Sequence, residues 1–327
     1  MASVPIDTAK VAEAVIRTLG QELVTARSVA GGTAGETRDG WIYLVLDGRA
    51  LPEHRALLDH AVAEVRRRRL HLAILTPQPL PSPEGERVAA HGGAVVSGSR
   101  FALLLQELGL ERFLPVSDRP GRTTERRTLP SQDRLYDWME RGRNWLAWGV
   151  PAMALRCFRE AAQLKPDFLP AQLAEVTALA VLGRFDVAEA LLERVTRSNG
   201  ETPEIELARV VLRARGKHPD SEVEDLIALS ARHPERADVR AHLLAARIAR
   251  REWREGLRTV EELLVSFPDE PGMRFLRAEL LARLDQSAAA EAERTRARSL
   301  GLDRETESRL RAEFPDPSPP PETTPQA

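Results

Sequence analysis

From about residue 134 onward, apolar residues recur at helical spacing, and a longer period overlies the short one. Steps of 34 residues from Pro166 reach Gly200, Pro234 and Pro268. An acid follows each proline: Asp167, Glu235 and Asp269. The same step from Phe158 gives Leu192, Leu226, Val260 and Arg294, and from Ala161 it gives Val195, Leu229, Leu263 and Ala297. Ala154 leads to Ala188, Glu222, Gly256 and Ala290. One phase held over five copies is an internal repeat.

Each copy carries the signals of two helices. Gly149 sits where a helix ends in the left-handed conformation, and Pro151 suits the first turn of the next. In the second copy Gly183 ends a helix, and the spacing of Asp186 and Glu189 predicts a capping box. In the third, Gly216 precedes Ser221 and Glu224 in the same arrangement. Turns this short predict antiparallel neighbours. Gly142 and Ala154 are small enough for the paired helices to approach closely, with Trp138 and Phe158 filling the space beside them. A large buried aromatic at Trp138 predicts a cost of ~3–5 kcal/mol for Trp138→Ala.

The first copy, "WMERGRNWLAWGVPAMALRCFREAAQLKPDF", resembles the tetratricopeptide repeat (TPR) through Trp138, Gly142, Trp145, Ala154, Phe158, Ala161 and Pro166. The resemblance covers 135–304 and implies an all-α superhelical solenoid whose concave groove is lined by the first helix of each pair. In later copies Gln172, Glu206, Arg240 and Arg274 stand where the first has Trp. Arg294 suits a terminal repeat facing water, and "RETESRLRAEF" (304–314) reads as a polar cap helix. The implied groove residues are Met139, Arg143, Leu173, Thr177, Leu207, Val211, Ala241, Ala245 and Phe275. A rotation of the later first helices by about one residue would make many of these core instead. The set is mostly apolar and lacks a line of Lys and Asn for a C-terminal carboxylate. It points to a helical or extended partner segment with apolar anchors.

Before residue 117 strand and helix patterns alternate. "DTAKVAEAVIRTLGQELVTARSV" places Ala12, Ile16, Leu19 and Leu23 on one helix face, with Asp7 as its cap. "GWIYLVLDG" is a β run, followed by a helix from about Pro52 to Arg69 whose closing arginines favour the negative end of its dipole. "LHLAILT" and "GGAVVSG" are buried-type strands, "SRFALLLQELGLERF" is helical, and "LPV" reads as a short last strand. This alternation predicts a small α/β domain over 1–116. "GGAVVSGSRFALLLQELGLERFLPVSD" and "LDGRALPEHRALLDHAVAEV" resemble the STAS domain, the fold of anti-sigma-factor antagonists. That resemblance covers about 41–118, gives a short second helix near 84–91, and leaves the N-terminal helix outside it. It aligns "SPEG" (Ser82 to Gly85) with the family's phosphate-accepting stretch: Gly85 matches, but Glu84 replaces the acceptor serine. The implied module binds without being switched by phosphate. Equally, Pro77, Pro79, Pro81 and Pro83 could simply make a stiff loop, with Glu84 opening a helix favourably. Residues 117–133 read as a linker. The Pro-rich stretch 315–327 reads as a disordered tail.

The 327-residue chain is 43% hydrophobic and 29% charged, with a net charge of -2, so no global basic field draws it to nucleic acid or anionic lipid. The single cysteine, Cys157, allows no internal disulfide and reads as a helix core residue. No run approaches the ~20 apolar residues of a membrane span. The absence of a signal-peptide pattern makes a cytoplasmic location the expectation. His54, His60, His71, His91, His218, His233 and His242 show no metal-ligand spacing. Gly31-Gly32 and Gly92-Gly93 are lone pairs rather than a phosphate loop, and no nucleophile elbow is present. No catalytic, cofactor-binding or metal residue is therefore expected. The basic run Arg247, Arg250, Arg251, Arg254 and Arg258 surrounds Trp253 but is interrupted by Glu252, Glu255, Glu261 and Glu262, the pattern of a salt-bridged helix surface. The leading expectation is a non-catalytic adaptor or scaffold with protein partners and no nucleic acid. The alternatives are a regulatory switch of the anti-sigma-factor-antagonist type and an enzyme with the repeats as a substrate platform.

Overall fold

The computed structural model describes residues 6–29, 31–47, 51–68, 70–78, 80, 82–89, 93–114, 131–216, 221–312 and 314. The chain forms two compact units, Met1–Pro219 and Asp220–Ala327.

The first unit opens with α1 (Thr8–Thr18), capped by the Asp7 carboxylate, which accepts a hydrogen bond from the Lys10 N–H. Val11, Ala12, Val15 and Ile16 form its buried face. The helix stops before Gly20, whose φ is +68°. The expected continuation to Leu23 is wrong: the chain turns into an antiparallel hairpin, β1 (Leu23–Val29) and β2 (Gly32–Thr37). Val24, Thr25 and Val29 are β-branched and prefer this extended form. Leu19 and Leu23 still pack, partly buried, against the core that α1 covers.

β3 (Trp41–Leu46), β4 (His71–Thr76) and β5 (Ala94–Ser97) complete a sheet of order β1-β2-β3-β4-β5. β2 and β3 are antiparallel, whereas β3–β4 and β4–β5 are parallel. The parallel crossovers use α2 (Leu51–Arg68) and α3 (Ser82–Ala89), and α4 (Ser99–Glu107) follows β5. Every residue of β3 is buried because both faces are covered. Ile42, Leu44 and Leu46 pack with Leu58, Val62 and Val65 of α2 and Val88 of α3. Tyr43 and Val45 join the cluster that holds α1 and Phe101, Leu104 and Leu105 of α4. A short 3-10 turn, Glu111–Phe113, precedes Leu114; the rest of the expected "LPV" strand, most of the expected linker and the expected tail lie outside the described residues.

Next come α5 (Ser131–Ala147), α6 (Pro151–Leu164), α7 (Leu169–Val181), α8 (Phe185–Asn199) and α9 (Pro203–Gly216). Gly149 and Gly183 end their helices with φ of +72° and +76°, while Gly216 is simply the last residue of α9. The expected capping box at Asp186 and Glu189 does not form: the N-cap is Arg184, two residues earlier, which puts Asp186 inside the first turn of α8. One hydrophobic cluster runs from Tyr43, Val96 and Leu104 through Trp145, Phe158 and Leu179 to Ile205 and Leu212. The boundary expected at 117–133 is therefore no break in packing, and the compact unit continues to Pro219.

The second unit contains α10 (Glu222–Arg232), α11 (Ala237–Ala249), α12 (Trp253–Ser266), α13 (Pro271–Arg283), α14 (Ser287–Ser299) and α15 (Arg304–Ala312). Ser221 precedes α10, but its hydroxyl donates to Asp225 and makes no cap bond to the backbone, so this capping box also fails. Leu244, Ile248, Val260, Leu263, Leu276, Leu280 and Phe314 form the core. α15 lies in the span expected for a cap helix and packs on α13, with Leu310 beside Gly272 and the Arg311 guanidinium 5.5 Å from the Phe275 ring centre. Arg294 does not face water as expected. It bridges the buried Glu279 at 3.0 Å, because a carboxylate taken out of water needs a charged partner.

Candidate protein-interaction surface

The first helices of the pairs carry the candidate residues. Met139, Leu207 and Phe275 are 5%, 8% and 0% exposed, so they belong to the core and not to a groove. The physical reason is that these large apolar side chains are packed away from water, Met139 within the cluster that holds Trp145 and Phe158. Arg143, Thr177 and Ala245 are exposed, and Leu173, Val211 and Ala241 are half-buried. In the first unit α7 packs against α9, so Leu173, Thr177 and Val211 lie on touching helices, together with half-buried Ala174 and Ala208. The Thr177 hydroxyl donates to the Leu173 carbonyl one turn back and leaves its methyl as an outer surface. In the second unit Ala241 and Ala245 are both on α11.

The repeat residues divide by role. Trp145, Ala154, Phe158 and Ala161 are buried, and a methyl group at Gly142 would run into the Phe158 ring. Trp138 is only half-buried, with the Arg141 guanidinium 5.1 Å from its ring centre, so the cost expected for its truncation belongs to Trp145 instead. Pro166 is exposed in its turn. Its carbonyl accepts a 2.6 Å hydrogen bond from Gln172, the residue that replaces Trp in the second copy. Arg240 does the same for Pro234 at 2.6 Å, and Arg274 for Pro268 at 2.8 Å. Three of the four polar substitutions, Gln172, Arg240 and Arg274, thus tie their first helices to the turns before them.

Sequence reasoning missed how the α/β layer covers the first copy. Trp145 donates its indole N–H to Glu107 of α4 at 2.9 Å. The Arg100 guanidinium lies 4.9 Å from the Trp148 ring centre, and Gly149 abuts Ala94 so closely that a Cβ would collide. Arg184 donates to Asp39 at 2.6 and 3.0 Å and to the Gly20 carbonyl at 3.4 Å. α4 and the sheet therefore take the place of a preceding repeat, covering the side of α5 and α6 that would otherwise face water.

The titratable groups do not converge on chemistry. Burial pushes the Cys157 thiol up to about 12, with Glu107 adding to the effect, which keeps it protonated and non-nucleophilic. Burial lowers His71, and Arg215 adds to the effect; the ring stacks on Trp41 at 4.8 Å. His54 and Asp47 are buried together at 3.2 Å. Among the described residues no group of three or more His, Cys, Asp or Glu could hold a metal ion. A shallow depression of about 580 Å³ on α2 and α3 is lined by Asp59, Val62, Ala63, Arg66, Arg67 and Arg87, and Arg87 and Arg67 already pair with Asp59 and Glu64. In the basic run, Arg247 bonds Thr259 and Arg250 pairs with Glu224 at 3.3 Å. Among the described residues no helix is long and apolar enough to cross a membrane.

No family model matches the sequence. No curated protein matches it either. Among solved structures, YrrB, a TPR protein with an unusual peptide-binding site, is 11% identical over 55% of this chain and 96% of its own, with a TM-score of 0.35. MamA from Desulfovibrio magneticus is 19% identical over 51% of this chain and 95% of its own, with a TM-score of 0.35. TTC0263, a TPR protein of Thermus thermophilus, is 15% identical over 56% of this chain and 98% of its own, with a TM-score of 0.44.

Proposed function

We propose that the chain is a non-catalytic interaction adaptor that takes a segment of a protein partner against the first helices of its repeats. The observation that carries this reading is the strip formed by Leu173, Ala174, Thr177, Ala208 and Val211, apolar but for the Thr177 hydroxyl, on two touching first helices and left half-buried or exposed. Small and β-branched side chains there leave a shallow surface that an amphipathic helix can approach closely. Arg143 and Thr177 are exposed polar groups on the first helices of the first unit, and in the second unit Ala241 and Ala245 present small apolar side chains on α11. The α/β layer, STAS-like in this reading, serves as an unswitched binding and capping module. Glu84 fits that role, since it stands in the first turn of α3 where a fixed carboxylate favours the helix dipole. A cytoplasmic location goes with it.

The test uses the full chain in its native cell. A photo-crosslinking residue at Thr177 should capture a defined protein, whereas one at Val187, exposed on α8, should not. The double variant Leu173→Glu, Val211→Glu should lose that capture while helicity and melting stay close to the parent. Equal capture from both positions, or undiminished capture by the folded double variant, would refute the assignment.

A further inference from the structure

Phe314 stands apart from the rest of the second unit's core. Leu244, Ile248, Val260, Leu263, Leu276 and Leu280 come from α11, α12 and α13, whereas Phe314 follows the end of α15, in a turn where its N–H bonds the Arg311 carbonyl at 3.1 Å. It is 5% exposed. Its ring stacks on Trp253, the aromatic within the basic run, with ring centres 6.1 Å apart. The Arg283 guanidinium lies 5.5 Å from both ring centres. A planar cation against two stacked rings makes a seat that favours an aromatic side chain over an aliphatic one of similar volume. Tryptophan and arginine are also the residues that most often dominate binding surfaces.

The segment that fills this seat is lightly held. α15 reads RETESRLRA, and its one large apolar residue, Leu310, is half-buried, with a methyl group 3.6 Å from where a Cβ on Gly272 would stand. The other contacts are ionic. Glu307 pairs with Arg298 at 2.9 Å and with Arg311 at 3.1 Å, and Arg311 reaches Glu279 at 3.6 Å. Both arginines are half-exposed, so these pairs are screened by water. One buried ring and one half-buried leucine must therefore offset most of the conformational entropy of ordering the segment. Terminal segments of this kind open locally before the core does.

We propose that Trp253 and Arg283 form a binding site for an aromatic side chain of a protein partner, and that Phe314 is its resident occupant, displaced when the partner binds. The resident segment defines the ligand: a helix bearing an apolar residue and, four positions later, a phenylalanine. A base directly after the apolar residue can share Glu279 as Arg311 does. The site involves neither α7 nor α9, so it stands independently of the strip on those helices.

A labelled peptide of residues 303–314 is the probe, read by fluorescence anisotropy against the full chain. The parent should bind it weakly, because Phe314 holds the seat. Phe314→Ser opens the seat and should bind at least about tenfold more tightly, since a larger fraction of the chain is competent. Leu310→Ser keeps the seat intact but loosens its occupant, and should show a smaller gain. Adding Trp253→Ala to Phe314→Ser should abolish binding, as should Ser in place of Phe in the peptide. In the parent, amide exchange in α15 should run ahead of that in α13. Equal binding by the parent, Phe314→Ser and Leu310→Ser would overturn the proposal. If Phe314→Ser does not fold, Leu310→Ser and the exchange rates decide: no gain in binding, or α15 exchanging only at the rate of α13, would make Phe314 a fixed core residue. Self-association of the parent that Trp253→Ala abolishes would also overturn it, because the occupant would then be a second copy.

Discussion

Arg184, in the turn between α7 and α8, grips Asp39, in the turn between β2 and β3, with hydrogen bonds of 2.6 and 3.0 Å across 145 residues of sequence. Both side chains are largely shielded, at 26% and 20% exposure, so this pair is screened less than a surface bridge. Arg184→Ala and Asp39→Ala should each cost about 1–2 kcal/mol, and the double variant little more than either single one. Urea denaturation of the four species measures this cycle. Additive losses would show that the pair is not coupled.

The same junction predicts how the α/β layer and the first repeats come apart. Trypsin has sites at Arg122, Arg126 and Arg127, between Leu114 and Ser131. After a cut there, the two pieces should still co-elute on gel filtration, because one hydrophobic cluster spans them. A chain beginning at residue 131 should aggregate, since Trp145 loses its Glu107 partner on α4 and the shared cluster loses its α/β half. A soluble, fully helical fragment from 131 would contradict this.

The sequence made the repeat legible because a period of 34 residues samples the same buried positions five times, so that Phe158, Leu192, Leu226 and Val260 confirm one another. β3, β4 and β5 were legible as apolar runs between helices. The hairpin after α1 was not. Leu19 and Leu23 pack near the helix face that the 3.6-residue pattern assigns them, and only the left-handed Gly20 stops the helix. At the candidate surface the pattern located the first helices but not which of their apolar residues pack inward: Met139, Leu207 and Phe275 are buried, whereas Leu173 and Ala241 at the same repeat position are half-buried. The contacts Arg184–Asp39 and Trp145–Glu107 obey no local spacing rule.

Acid should loosen the C-terminal cap. Hydrogen bonding to Arg298, aided by its charge and that of Arg311, holds the Glu307 carboxyl below its ordinary 4.5 despite partial burial. A carboxylate with a depressed pKa stabilises the fold above 4.5, and that contribution is lost as pH falls through the depressed value. Hydrogen exchange in α15 should therefore accelerate, relative to α13, as pH drops below about 4.5. Glu307→Gln should exchange faster than the parent at neutral pH and lose most of this acid response. An unchanged pH profile in that variant would remove Glu307 from the account.

The turn inside each helix pair allows a graded test of backbone strain. Gly149, Gly183, Arg251 and Asp285 recur at multiples of 34 residues and all have positive φ: +72°, +76°, +61° and +61°. The turn thus demands the left-handed conformation in every described copy, although only two of these copies supply glycine. An L-residue pays ~1–2 kcal/mol there, less for Asp, whose short polar side chain tolerates it. Gly183→Ala meets no atom within 4 Å, so its cost should be the backbone term alone, about 1 kcal/mol. Gly149→Ala adds a collision with Ala94 and should cost roughly 1–3 kcal/mol more. Arg251→Gly relieves strain but frees the unfolded chain, for a net gain of about 0.5–1 kcal/mol. Asp285→Gly should change stability by less than about 0.5 kcal/mol. Equilibrium unfolding of the four variants should rank them Gly149→Ala, Gly183→Ala, Asp285→Gly, Arg251→Gly from least to most stable. If Arg251→Gly proved as destabilising as Gly183→Ala, the Arg251 side chain would be contributing contacts that outweigh its backbone strain, and the shared-turn argument would fail for the second unit.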